Sequence, residues 1–515
     1  MRLADADPLI GLLGCKLLNA DGTLQEAGGA VLRDGWGLPY GAGQDPDAPE
    51  YNFVRDVDVV VGACMLVRRD AWIEVEGFDD RYAPAFYEEF DLAFALRDRG
   101  WRVIYQPASA VVHHGSNSYG AAARDRLSLA NHAKFCVKWA KALLRQPLAS
   151  SPAFTIRGRF VPAGTALVID DRVPEWDRNA GAVTLHHYLR LLQRMGYHVV
   201  FCPAFDATPT APYTARLQQD GIEVLHAPAR LDPWLRAHGR QVDLVWTARP
   251  DVTGPILDMI RAAVRAPVLY YTHDLHHLRE RRRWELEGDP RALAESKRLK
   301  RIEDRIFATV DHVMTPSAEE AAVIHADVPA AKVHVIPPYL VPALPLARHD
   351  PDFAGRESLI FVGGYNHLPN VDAAVWLVQD IMPLVWAHLP DVRVLLVGNA
   401  PPPAVLALAG RRVTVTGFVP DVGPLYAQAR LSVSPLRYGA GVKGKIVASL
   451  QEGVPVVTTT VGNEGLGLVH ETEAWLADTA PDLAAGIVAL YRDPRRCAAM
   501  AQSAGAVLRR RFSED

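Results

Sequence analysis

From Thr165 onward the chain repeats one pattern, a short and almost wholly apolar run followed by a turn and then a longer amphipathic stretch. The runs ALVIDDRV, HVVFCPA, IEVLHA, DLVWTAR and PVLYYTHD precede the proline-rich, polar segment around Pro337 to Ser358. SLIFVGG, VRVLLVG, RVTVTGF, LSVSPL and PVVTTT follow it. Strands that are apolar on both faces must be covered on both faces, so the pattern predicts parallel, doubly wound sheets flanked by helices. Two such sheets in series predict two Rossmann-like α/β domains facing a cleft, with ligands at the carboxyl ends of the strands.

One stretch of the second sheet breaks a local rule. SPLRYGAGVKGKIVASLQEGVPVVTTTVGNEGL, Ser434 to Leu466, reads as strand, glycine loop, helix and strand, with Ile446, Val447 and Leu450 on one helical face. Lys443 and Lys445 stand at the helix start, where cations oppose the macrodipole at a cost of roughly 0.3 to 1 kcal/mol each. A diphosphate there would reverse the sign by taking the free N–H groups, the dipole and the ammonium groups together. The plain alternative is a solvated lysine pair beside a flexible turn.

Composition narrows the class. With 515 residues, 49% hydrophobic content and a net charge of -4, the chain has material for about three domains and no bulk basic signal for nucleic acid. Cys15, Cys64, Cys136, Cys202 and Cys497 lack CxxC spacing, which argues for reduced thiols and against a zinc site. The first residues show neither a leader pattern nor a spanning segment, and Val57 to Val67 is too short to cross a bilayer. A cytoplasmic location follows, with peripheral association at the inner membrane face left open.

Residues 1–145 have a different texture. Ile10 to Leu18, Val57 to Val67, Arg102 to Tyr105 and Ala110 to His113 read as strands, Asp91 to Arg99 as a short helix and Arg124 to Leu144 as a closing helix. Tyr87-Glu88-Glu89-Phe90-Asp91 places three carboxylates at a helix start, either as a poised base or as ordinary first-turn acids. His113-His114 ends a strand, where at most one ring faces any site. Asp5-Ala6-Asp7 has the letters of a metal motif but no strands before it, and reads as a chance match.

The segment GACMLVRRDAWIEVEGFDDRYAPAFYEEFDLAFALRDRGWRVIYQPASAVVHH, with LLNADGTLQEAGG ahead of it, resembles the acceptor-side half of inverting family-2 glycosyltransferases of the GT-A fold. The resemblance implies a general base at Glu89, where the family usually has Asp, and a metal-site histidine at His113. The nucleotide-binding half of that fold has no counterpart, so a partial GT-A domain is expected, with a divalent metal relevant to a complete module alone. An unpaired sheet edge would then need a cover. Residues 146–164, QPLASSPAFTIRGRFVPAG, read as a linker.

In the first α/β half three spots lie at strand ends. The loop closing on Asn179-Ala180-Gly181 is either a capped turn or a point of substrate approach. His273-Asp274-Leu275-His276-His277, with Arg279 to Arg283 following, could hold a sugar or a phosphate, while Arg281 and Arg283 within that run read as a solvated helix face. Ser317 with Glu319 and Glu320 reads first as an N-cap. In the second half Gly363-Gly364 either lines the cleft or makes the turn.

FVGGYNHLPNVDAAVWL, RYGAGVKGKI and GVPVVTTTVGNEGL make residues 165 to about 510 resemble a retaining family-4 glycosyltransferase of the GT-B fold, from a branch found in bacterial surface-polysaccharide synthesis. The resemblance implies an acceptor-side domain at 165–343 and a nucleotide-sugar domain at 344–515. It gives the phosphate role to Lys443 and Lys445, a glycine floor to Gly363, Gly364 and Gly441, the donor-side loop to Asn463, Glu464 and Gly465, and the place beside the transferred sugar to His273. Asn179, Gly181 and Asp274 fall on the acceptor side. Two glutamates that the family often carries eight positions apart are Ala440 and Ala448 here.

The expected activity is hexosyltransferase-type transfer from a nucleotide-diphosphate sugar to a glycan or lipid-linked saccharide, in O-antigen- or capsule-type synthesis. The GT-B half would need no cofactor and no metal. The rivals are a GT-B sugar-nucleotide epimerase and a catalytically inactive glycan-binding or assembly subunit.

Overall fold

The computed structural model describes residues 1–114, 120–159, 163–227, 230–338 and 353–512. The boundary expected at 343/344 and part of the expected linker, 160–162, lie outside the described residues. The chain forms two compact units, one of Met1–Val173, Leu191–Val245 and Asp258–Ala266, the other of Pro174–Arg190, Trp246–Leu257 and Pro267–Asp515.

In the first unit, β1 (Ile10–Leu18) is central to a sheet. Along one side it pairs antiparallel with β2 (Leu24–Glu26) and β4 (Met65–Val67). On the other it pairs parallel with β5 (Arg102–Val112), beyond which lies β3 (Arg55–Asp56). The helix α1 (Glu88–Asp98) buries Leu92, Ala93, Phe94 and Leu96 toward this sheet's core.

Two expectations are corrected here. Val57 to Val67 is not one strand: the buried Asp58 carboxylate accepts from Val31 N (3.0 Å) and from Arg97 Nη1 (2.5 Å), pinning that stretch by side-chain bonds, and a ladder resumes at Met65. Arg102 to Tyr105 and Ala110 to His113 are one strand, β5, whose register slips between Cys15 and Lys16 so that Gln106 and then Ala110 face consecutive β1 residues.

The same unit holds parallel strands β6 (Gly164–Arg172), β7 (Tyr197–Asp206) and β8 (Glu223–Val224), paired in that order. The stretch read as a linker contains a helix, α2 (Ala153–Ile156), with Phe154 and Ile156 buried. Beside it Arg157 is 2% exposed and pairs with Glu223 at 2.8 Å, while His198 Nε2 lies 3.0 Å from the same carboxylate. Arg55 Nε donates to Arg157 O (2.8 Å), so strands of both textures share one buried polar cluster.

In the second unit β9 (Val268–Tyr271), β10 (His312–Thr315) and β11 (Val333–Val335) run parallel. Around them stand α3 (His276–Glu287), α4 (Pro290–Thr309) and α5 (Ala318–Asp327). A parallel six-stranded sheet follows, built from β12 (Ser358–Val362), β13 (Arg393–Val397), β14 (Val413–Gly417), β15 (Ala429–Ser434), β16 (Val456–Thr458) and β17 (Trp475–Leu476). Its order is β14-β13-β12-β15-β16-β17, and the reversal at β12/β15 is a topological switch point. The helices α6 (Leu368–Trp376) and α7 (Gly444–Gln451) begin above that point.

Candidate functional site

Lys443 is the N-cap of α7, and Ile446, Val447 and Leu450 are buried as the periodicity requires. Before it, Gly439 (φ +146°) and Gly441 (φ +68°) take conformations that exclude most side chains. A Cβ at Gly441 would lie 2.7 Å from His273 O and 3.0 Å from Asp274 Cβ. Gly441 N donates to Glu320 Oε1 at 2.8 Å, and the same oxygen accepts from Leu275 N at 3.0 Å. Glu320 therefore ties the glycine loop to the segment following β9. Burial, reinforced by Asp274, pushes its carboxyl up to about 8.

The two lysines differ in their partners. Lys443 is 7% exposed, donates to Gly441 O, and lies 3.6 Å from Glu464 Oε2. Glu464 is itself gripped by Arg282 of α3 through paired bonds of 2.8 and 2.9 Å, and Arg282 also donates to Gly439 O at 2.6 Å. Burial raises the Glu464 pKa, but Arg282 and Lys443 more than offset this and hold it below its ordinary range. Lys445 has neither a hydrogen bond nor an ion pair among the described residues; its ammonium lies 6.0 Å from the centre of the Phe361 ring. Burial, then the charge of Lys443, lowers it to about 7. Part of its side chain stays open to solvent.

His273 sits with φ +57°, a strained value for a residue with a Cβ. Its ring meets Tyr271 edge-on at 5.1 Å and Trp246 at 6.4 Å. The position of a Cβ on Gly181 is 4.0 Å from His273 Nδ1, so the Asn179–Gly181 turn and His273 come together. Asn179 Oδ1 accepts from Ala182 N (2.8 Å), the capped-turn geometry. Asp274 is held by Arg279 at 2.5 Å and His276 at 3.2 Å. Burial raises its pKa, yet Arg279 first and then His276 bring it well below the carboxylate range. The start of α3 is capped from α4, where Glu303 accepts from His276 N (2.9 Å), His277 N (3.1 Å) and His277 Nδ1 (2.6 Å).

Gly363 and Gly364 end β12 in close quarters: a Cβ would lie 2.9 Å from Asn370 Cγ at the first and 2.8 Å from Asn399 Oδ1 at the second. Asn370 Nδ2 donates to Gly364 O (2.7 Å), and its Oδ1 is buried without a partner. His367, at the N-cap of α6, is exposed. Desolvation of its ring, then the charges of Arg279 and Lys445, lower its pKa. In the loop after β16, Asn463 spends both ends of its amide on Leu468 (2.9 Å each). Gly465 (φ +72°) leaves no room for a Cβ, which would lie 2.5 Å from Val442 Cγ2.

His273, Asp274, Asn179, Gly181, Gly363, Gly364, Gly441, Lys443, Lys445, Asn463, Glu464 and Gly465 all belong to the second unit. Glu89 and His113 belong to the first. There, Phe86 and Tyr87 (both φ +74°) present the start of α1, and Glu88 Oε2 and Glu89 Oε2 are buried without a hydrogen-bond partner. Burial and then Glu88 push Glu89 up to about 7. Asp91 is instead committed to Trp139 Nε1 (2.7 Å), Lys138 (2.8 Å) and Tyr82 OH (3.1 Å). His113 Nδ1 pairs with Gln25 Oε1 at 2.8 Å, and no cluster of three or more potential metal ligands is found among the described residues. Asp7 of the Asp5-Ala6-Asp7 triplet pairs with Arg102 at 2.5 Å.

Sequence reasoning held Arg282 only as one member of the Arg279–Arg283 run, did not single out Glu303 or His367, and read Glu320 first as part of an N-cap. The cap exists, since Ser317 Oγ accepts from Glu320 N (3.1 Å), but the buried carboxylate does more. Arg281 pairs with Glu285 on an exposed face, as expected.

Two parallel-sheet regions with glycine loops at their strand ends have the fold of GT-B glycosyltransferases, as the similarity to solved structures shows. Residues 181–340 match the family "Glycosyltransferase Family 4", and residues 356–493 match "Glycosyl transferases group 1". Among solved structures, sucrose-phosphate synthase from Thermosynechococcus elongatus aligns with a TM-score of 0.56 at 18% identity, over 68% of this chain and 95% of that one. HepE of Anabaena, solved with UDP and glucose, aligns with a TM-score of 0.50 at 17% identity, over 68% and 96%. Among curated relatives, the O-antigen biosynthesis protein RfbC of Myxococcus xanthus is 33% identical over 117 residues, 22% of this chain. An N-acetylglucosaminyl-diphospho-decaprenol L-rhamnosyltransferase of Mycobacterium tuberculosis is 43% identical over 81 residues, 16% of this chain. The chain spans 9% and 25% of the lengths of those two relatives. No described helix is long and apolar enough to cross a membrane.

Proposed function

We propose that the chain transfers a hexose-type sugar from a nucleotide-diphosphate sugar to a glycan or lipid-linked saccharide, in bacterial surface-polysaccharide synthesis at the cytoplasmic face of the membrane. The observation that carries this reading is the unpartnered Lys445 ammonium beside Lys443 at the start of α7. Departure of the diphosphate is the hard step, and cations fixed beside free helix N–H groups meet the charge as it forms. The arrangement does for the leaving oxygens what a divalent ion does elsewhere, so the GT-B half is proposed to work without metal. Arg282 and Glu464 hold Lys443 in place, His273 stands beside the transferred sugar, and the Asn179–Gly181 turn faces the acceptor. The family-4 resemblance implies retention of anomeric configuration.

The test uses the full chain with a panel of GDP-, UDP- and dTDP-sugars, with and without a lipid-linked acceptor, reading nucleotide release and acceptor lengthening. Acceptor-dependent release unchanged by EDTA is expected. Lys445→Ala should lower the transfer rate about 10²- to 10³-fold at an unchanged melting temperature, the loss seen when one preorganised charge-stabilising group is removed. Nucleotide release without lengthening would favour an epimerase, and binding of glycan with no release a non-catalytic subunit.

A second reading concerns the first unit. The buried, unpartnered Glu88 and Glu89 oxygens suit a general base poised near the working pH, with Glu89 as that base and His113 as a metal ligand in a complete GT-A module. EDTA-sensitive transfer lost in Glu89→Gln but kept in Lys445→Ala would support it.

A further inference from the structure

We propose that Cys15 and Cys64 are a redox pair that closes reversibly into a cross-strand disulfide in the first unit. The antiparallel β1–β4 ladder pairs Leu12 with Val67, Leu13 with Leu66 and Gly14 with Met65. Continuing that register by one residue sets Cys15 directly opposite Cys64. Opposed residues of an antiparallel pair have Cα atoms about 4.5 to 5.5 Å apart, inside the window of about 4.4 to 6.8 Å that a disulfide spans. The two sulfurs are 2.8 Å apart, closer than non-bonded sulfurs ordinarily sit, and both side chains are partly open to solvent.

The other cysteines differ. Cys202 and Cys497 are buried, and Cys136 lies against Asp34 O at 3.3 Å. The hydrogen bond that Cys64 shares with Cys15, with burial second, pushes its thiol up to about 11. Either sulfur can make the first attack; when Cys15 does, Cys64 is the resolving thiol. With a low-molecular-weight disulfide such as oxidised glutathione, the Cys15 thiolate attacks one sulfur and expels the first glutathione thiolate. Cys64 then loses its proton, attacks Cys15 in the mixed disulfide and expels the second. Two protein thiols are oxidised, one glutathione disulfide is reduced to two thiols, and the two protons pass to solvent or to the leaving thiolates.

The bond would fasten the turn that holds Gly62 to β1. A Cβ at Gly62 would lie 4.0 Å from Glu89 Cβ, so the tether sits beside the buried carboxylates at the start of α1.

The test is to equilibrate the native full chain in a glutathione redox buffer that fully oxidises a dithiol peptide, then read intact mass and digested peptides. A mass lower by two hydrogens, a Cys15–Cys64 linked peptide and full reversal by dithiothreitol are expected. Cys15→Ser and Cys64→Ser should each form no such link, and Cys64→Ser should retain one glutathione on Cys15. A wild-type chain that carries stable glutathione on both cysteines, or leaves both thiols free in that buffer, overturns the proposal.

Discussion

At the scale of single residues, Lys445 sets a pH dependence. Its pKa is lowered to about 7, and a bound diphosphate would raise it. Nucleotide-diphosphate binding should therefore take up a proton above about pH 7 and weaken as pH rises. Calorimetry in buffers of different ionisation enthalpy reads that proton directly, and no uptake at pH 8 would sink the assignment. Gly441→Ala should destabilise the fold by about 1 to 3 kcal/mol, because φ is +68° and the new methyl would meet His273 O. A thermal melt checks it. The two lysines were legible in the sequence because they violate the helix-dipole preference. Arg282 was not, since it stands in a run where Arg281 and Arg283 find local partners in Glu285 and Glu287. Its own partner, Glu464, is remote in sequence.

At the scale of elements, the most consequential structure is the buried cluster that α2 forms with β7 and β8. Arg157 and Glu223 are each 1% exposed at the side chain, and removing one partner leaves the other charge uncompensated. Glu223→Ala should cost about 3 to 5 kcal/mol, read as a fall in the urea midpoint. His198 adds a signed pH effect: burial and then Arg157 lower its folded pKa to about 4, below the ordinary 6.5. The unfolded chain then binds the extra proton between those values, so stability present above about pH 6.5 is lost as pH falls toward 4. His198→Asn should flatten that part of the stability profile relative to wild type; an unchanged slope would contradict the shift. Composition suggested a linker here because small residues and prolines do signal turns. It could not show that Phe154, Ile156 and Arg157 meet a matching face.

At the scale of the whole molecule, the first 159 residues and a Rossmann-type strand set share one compact unit. A fragment starting at residue 160 would leave Glu223 and His198 without Arg157 and Arg55. It should melt below the full chain and recover poorly from solution. A fragment with the full chain's melting temperature would show the N-terminal residues to be separable. The sequence by itself determined the parallel α/β class, because apolar runs alternating with amphipathic stretches admit few other packings. It also marked the helix start that carries two cations, because they oppose the local dipole there. Tertiary structure alone decided which charges meet. Glu320 reaches Gly441 across 121 positions, Arg282 reaches Glu464 across 182, and a β register brings Cys15 to Cys64 across 49. Periodicity and backbone propensity are local quantities, so they predict elements; the pairing of distant side chains depends on how those elements pack.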